Sequence, residues 1–311
     1  QYGSFQGGVI NSVTKSGGNQ FRGELFYEET SDALRGETFS YEDMVTGQKM
    51  DRTVSGDFSE KTWGATLSGP IIKDRLFFIA NYEKFEATRP VLSGPAGSGA
   101  TNEVENITQA DVDLVRSIAQ QNYGYDPLDW SADELTVFDE KYFLKLDWNI
   151  NDRHRAVASY QQTEGSTLNL SGTTTSGDNQ SIGLLSQSYD FQTNLVAYKA
   201  QLFSDWTDNF STEFSFSRKE TENISSNMAG SDFAAMRVFL PNNGSIRPSV
   251  NFGPERSRHA NSLTNDLNQY RIVGKYQAGG HRLTFGYERE DLEIYNVFVQ
   301  AANAEYEFAS V

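Results

Sequence analysis

The sequence has no cysteine and only 7 prolines among its 311 residues. The missing cysteine excludes disulfide staples, thiol nucleophiles and Cys-ligated zinc together. It leaves the compartment open, because many proteins of oxidising spaces carry no disulfide. Positive charge is scarce as well: 26 Lys and Arg stand against 42 Asp and Glu, for a net charge of -16. The cations are scattered and never form a run, which argues against a nucleic-acid partner, whose phosphates need clustered Lys and Arg. Long apolar runs are absent too, and no stretch approaches the roughly 20 apolar residues of a membrane helix. That absence does not bear on membrane strands, which are apolar on one face only.

Chemistry is thinly represented. The three histidines, His154, His259 and His281, share no His-x-x-x-His spacing, so no zinc site is expected. There is no G-x-S-x-G elbow for acyl transfer. The stretch from Gly94 to Gly99 lacks the Lys-Ser/Thr of a phosphate loop and reads as a flexible loop tip. Glu288, Glu290, Asp291 and Glu293 could gather calcium, but they read better as a solvated strand end facing a polar lumen. No catalytic residue, metal ligand or cofactor is expected.

What the sequence does contain is aromatic residues, 13% of the chain and mostly Phe and Tyr, arranged in period-two alternation. Tyr142, Leu144, Leu146 and Trp148 alternate with Lys141, Lys145, Asp147 and Asn149, with Phe143 the exception. Val196, Tyr198, Ala200 and Leu202 oppose Lys199 and Gln201. Phe210, Phe214 and Phe216 oppose Ser211, Glu213, Ser215 and Ser217, and Tyr270, Ile272 and Tyr276 oppose Gln269, Arg271 and Lys275. In a strand such sets face opposite sides. Counting similar runs from Phe21 to Glu290 gives about nine strands, taken at roughly ten residues each.

The connections alternate short and long. Residues 70–75, 149–154, 204–209 and 277–281 are short; 30–61, 86–139, 164–189 and 222–262 are long. Short turns at one end and long loops at the other describe an outer-membrane barrel better than a soluble sandwich. Trp148, Trp206 and Tyr276 lie beside the short turns, where an interfacial aromatic girdle would stand; buried aromatics would read the same way. One helix is expected inside the second long loop. Thr108 caps it, Asp111 sits in its first turn, Val112, Val115, Ile118 and Ala119 recur at helical spacing, and Gly124 ends it. It is expected to pack on the loop that carries it.

Three motifs add a family resemblance. The run from Gly7 to Asn19, containing Val13-Thr14-Lys15-Ser16-Gly17 and followed by Phe21-Arg22-Gly23, resembles the plug-to-barrel junction of TonB-dependent receptors. Ser68-Gly69-Pro70-Ile71-Ile72-Lys73-Asp74-Arg75 and Asp147-Trp148-Asn149-Ile150-Asn151-Asp152-Arg153-His154 resemble periplasmic hairpins of the Oar-like group, which carries an N-terminal carboxypeptidase-regulatory-like domain. The resemblance implies an all-β fold: a partial antiparallel transmembrane barrel, part of about 22 strands around a plugged lumen. Residues 1–19 would be the end of the plug and 20–311 the first part of the barrel, in a chain cut at both ends. Lys145, Asp147, Lys199, Gln201, Glu213 and Arg271 would face the lumen. The implied partners are outer-membrane lipid, TonB with its inner-membrane energising complex, and an extracellular solute such as a glycan, peptide or metal chelate. The rival reading is a soluble, secreted carbohydrate-binding β-sandwich.

Overall fold

The computed structural model describes residues 14–311 apart from 37, 43, 45, 54–55 and 133–134. Its centre is one antiparallel sheet of nine strands paired in chain order. These are β1 (Arg22–Ser31), β2 (Ser59–Ile72), β3 (Leu76–Thr88), β4 (Thr136–Asn151), β5 (His154–Asn169), β6 (Tyr189–Thr207), β7 (Phe210–Asn227), β8 (Ala260–Ala278) and β9 (His281–Val299). The short turns make hairpins of β2–β3, β4–β5, β6–β7 and β8–β9, and each long loop returns the chain beside the strand it left. Most of these strands run well past ten residues, so they extend beyond the alternating stretches and into the long loops.

The β-sandwich alternative does not describe this chain. No second sheet covers the aromatic face among the described residues, and Tyr142, Trp148, Ile272, Phe285 and Tyr287 stay exposed.

The core lies elsewhere. The helix α1 (Gln109–Tyr123) and short strands from three long loops pack into a cap at the long-loop end of the sheet. Ser181–Gly183 runs parallel to Ser249–Phe252, which pairs antiparallel with Ala235–Phe239. Glu305–Phe308, beyond β9, then adds in parallel to Ala235–Phe239. The packed cluster joins Val104, Ile107, Val112 and Val115 to Ile182, Met236 and Val250.

Local chemistry fixes these pieces. Thr108 and Asp111 form a reciprocal capping box on α1, and Gly124 ends it at φ 63, a left-handed position that favours glycine. The helix buries Val112, Val115 and Ala119 against its own loop, as expected, and against residues of other loops too. Gly94 to Gly99 is not a flexible tip either. Ser93–Ala96 pairs with Asn102–Thr108, and the Glu103 carboxylate accepts from the Gly97 and Gly99 amides at 2.9 and 2.8 Å. Those donors hold the Glu103 carboxyl below the usual carboxylate range.

Candidate functional site

Directly paired residues of an antiparallel sheet share a face, so the register assigns every wall residue to one of two sides. Lys145 faces Ser159, and Ser159 faces Lys199. Lys199 faces Ser217, and Ser217 faces Gln269. The adjacent row on the same side carries Gln201, Ser215, Arg271 and Glu288. Asp147 and Glu213 fall on this face too, so all six polar residues singled out in the sequence share it. Arg271 joins Glu213 and Glu288, each at 2.8 Å. The acidic group on β9 is divided by the pleat. Glu288 and Glu290 lie on the polar face and Asp291 and Glu293 on the other, and no metal-holding cluster occurs among the described residues.

The tightest spot on the polar face is Lys145. Its side chain is 10% exposed, and its ammonium donates to Ser16 Oγ at 2.8 Å and to the Thr14 and Lys15 carbonyls at 3.4 Å. Asp147 stands 3.6 Å away. An ammonium removed from water is costly unless its donors are met, so this set works as a unit. The neighbouring residues make the approach possible. A Cβ on Gly17 would stand 2.3 Å from the Phe78 carbonyl oxygen, so only glycine lets the segment lie so close to β3. Asn19 then donates to the Asp74 carboxylate at 2.6 Å and accepts from the Asp74 amide at 2.8 Å, tying the segment to the β2–β3 turn. The sequence marked both the Thr14 to Gly17 motif and Lys145, but not their contact. Val13 and the preceding motif residues lie outside the described residues.

The opposite face carries aromatic residues in an ordered descent. Tyr27 pairs with Trp63, Tyr82 with Tyr142, Tyr160 with Tyr198, and Phe216 with Tyr270. Each pair is displaced from the last by two residues, always in the same direction. Trp63 faces Lys84 rather than Tyr82, and Tyr142 faces Gln162 rather than Tyr160. Tyr198 faces Arg218 rather than Phe216, and Tyr270 faces Arg289 rather than Tyr287. One residue per strand is about 3.4 Å of rise for each 4.8 Å of spacing, a tilt of about 35° if the aromatics mark a level line. Transmembrane barrels tilt their strands by about 35 to 45°.

Trp148, Trp206 and Tyr276 form the lower limit of this band, beside the short turns, and all three are exposed. Trp206 follows Tyr198 by eight residues on β6. That is about 27 Å along the strand and about 22 Å along the normal, close to the apolar height of such barrels. The upper row of tyrosines was not picked out from the sequence; its signal was the single large ring at the long-loop end of successive alternating runs.

The comparisons agree with this geometry. The family model described as outer membrane beta barrel domain matches residues 13–311. The TonB-dependent transporter Oar of Myxococcus xanthus is 32% identical over 178 residues, covering 55% of this chain and 15% of that protein. The chain therefore spans under a fifth of the length of that relative. Among solved structures, the outer membrane transporter YddB from Escherichia coli is similar in fold, with a TM-score of 0.55 and 11% identity. That match covers 89% of this chain and 31% of YddB. Both relatives are named as transporters rather than enzymes. With its lipid-suited aromatic face and its nine-stranded meander, this chain belongs to the outer membrane beta-barrel domain family and resides in the outer membrane.

Proposed function

We propose that this chain is part of a TonB-dependent transporter of the Oar-like group, taking up a solute too large or scarce for passive pores: a glycan, peptide or metal chelate. In this reading residues 1–19 are the end of the plug and residues 20–311 are the first part of the barrel. The polar face is the lumenal wall, so Lys145, Asp147, Lys199, Gln201, Glu213 and Arg271 line the passage. TonB and its inner-membrane energising complex are partners of the whole protein, and an N-terminal carboxypeptidase-regulatory-like domain belongs to the same group pattern.

The observation that carries the reading is the Lys145 clamp: the junction segment is gripped on the polar face, opposite the aromatic band. A plug must sit on the side away from lipid, because unpaired backbone groups are not tolerated in hydrocarbon.

A cross-linking trap tests it. Ser16→Cys with Lys145→Cys places a thiol at either end of the clamp, and this sequence has no cysteine of its own. Because the lysine side chain spans the gap, a short bifunctional maleimide rather than a direct disulfide is expected to join this pair in outer-membrane vesicles, and not to join Ser16→Cys with Arg271→Cys. No cross-link in the first pair, or labelling of Lys145→Cys by a lipid-dissolved maleimide, contradicts the assignment.

A further inference from the structure

His259 is buried, at 7% exposure, at the join between the cap and β8. Both of its ring nitrogens are engaged by main-chain groups. The Asn303 amide donates to Nδ1 at 3.0 Å, and Nε2 lies 3.1 Å from the Pro254 carbonyl oxygen. A backbone N–H can only donate and a backbone carbonyl can only accept. Nδ1 is therefore the bare nitrogen and Nε2 carries the hydrogen, so the ring is neutral in this arrangement.

Around it, the loop at residues 254–259 is clasped to the segment that follows β9. The Ala301 amide donates to the Arg256 carbonyl at 2.7 Å, and the Gln300 side chain donates to Ser257 Oγ at 3.1 Å. The Asn303 side chain donates to the Ser231 carbonyl, and the Ala235 amide to the Ala304 carbonyl at 3.1 Å. Directly beyond the clasp, Glu305–Phe308 joins the edge of the cap sheet.

We propose that His259 is a proton-sensitive latch, whose neutral ring holds the segment after β9 onto the extracellular cap and whose protonation releases it. A second N–H on the ring would point at the Asn303 N–H, turning a hydrogen bond into a contact between two donors. Protonation thus removes a hydrogen bond from the closed arrangement, whereas in the open state water satisfies both nitrogens.

The charged groups around the clasp do not replace the lost acceptor. On its own loop, Glu255 pairs with Arg258 at 4.0 Å, and Arg256 pairs with Glu305 of the returning segment at 3.4 Å. Arg258 also lies over the Tyr189 ring of β6, and Asp232 adjoins Ser231 with an exposed side chain. The other two histidines of this chain stand at the short-turn end, at the starts of β5 and β9, so His259 is the imidazole of the described cap.

Hydrogen exchange of the intact outer-membrane protein in detergent micelles is the test, read at pH 7.5 and 5.5 after correction for intrinsic rates. Peptides covering 228–258 and 300–308 are expected to exchange about five- to tenfold faster at the lower pH, with β4 to β6 unchanged. His259→Gln keeps a donor and an acceptor but cannot gain a proton, and it is expected to abolish the pH effect. Nitrogen NMR of the wild-type imidazole covers the case in which that variant misfolds: Nδ1 is expected to report a bare nitrogen at pH 7.5, and its protonation to coincide with loss of Asn303 amide protection. Cap exchange independent of pH, a pH effect that survives in His259→Gln, or a protonated Nδ1 at pH 7.5 would overturn the latch.

Discussion

The wall and the cap use apolar residues in opposite ways. In the wall, the large ones point away from the protein: Tyr287 is 61% exposed, Phe285 58% and Ile272 49%. In the cap, Ile107, Ile182 and Val250 are fully enclosed by other side chains. The cap is built as a water-soluble domain is, burying aliphatic residues against each other. The wall leaves that burial to hydrocarbon, and its backbone groups are met strand to strand. One chain thus folds for two solvents, and the aromatic descent from Trp63 to Tyr287 marks where one gives way to the other.

This contrast sets the size of the effects expected from substitution. The largest is in the cap. Ile182→Ala removes a fully buried side chain from the cluster and is expected to cost about 2 to 5 kcal/mol of cap stability. Denaturant titration followed by hydrogen exchange should show the loss in the cap and not in the wall. An equal loss in both would mean that the two regions unfold as one. Next comes the band: Ile272→Arg is expected to cost about 2 to 4 kcal/mol in lipid. The control Gln269→Arg on the polar face, where Glu290 stands ready at 2.7 Å from the present side chain, should stay within about 0.5 kcal/mol. Equal penalties at the two positions would erase the distinction between the faces.

Thr108→Ala removes half of the capping box and is expected to lower cap stability by about 1 kcal/mol, seen as faster exchange in α1. The smallest effect concerns Glu103. Its carboxyl is held low by the Gly97 and Gly99 amides, so its contribution is present above the ordinary carboxylate range and fades as pH falls through the lowered folded value. Acid titration should expose those two amides, and Glu103→Gln should remove the pH dependence while leaving the wall untouched.

The sequence disclosed these regions unequally, for a physical reason. A wall strand is polar on one side and apolar on the other over many residues, so period-two alternation survives in the chain, as in Tyr142 to Asn149. Every second turn between wall strands is short, so the order within each hairpin followed as well. The cap offers neither signal. Ser181–Gly183 and Ser249–Phe252 are three and four residues long, buried on both sides and paired across a wide sequence separation. The helix was legible from Thr108, Asp111 and Gly124 because capping is local, but its neighbours in the other loops were not. The same limit applies at the clamp. Lys145 could be placed on a face from its own strand, whereas its grip on Ser16 joins residues 129 apart. Gly94 to Gly99 reads as a free tip because glycine suggests freedom, and the Glu103 carboxylate that removes it arrives only in the fold.

Adjacent residues on β6 give the most direct measurement of the two-solvent account. Gln201→Cys and Leu202→Cys can each carry a single nitroxide, since the chain has no other cysteine. In reconstituted bilayers the label at 202 should be relaxed strongly by oxygen and weakly by a water-soluble nickel chelate, with the order reversed at 201. The same accessibility at both positions, or the opposite order, would contradict the assignment of the aromatic face to lipid.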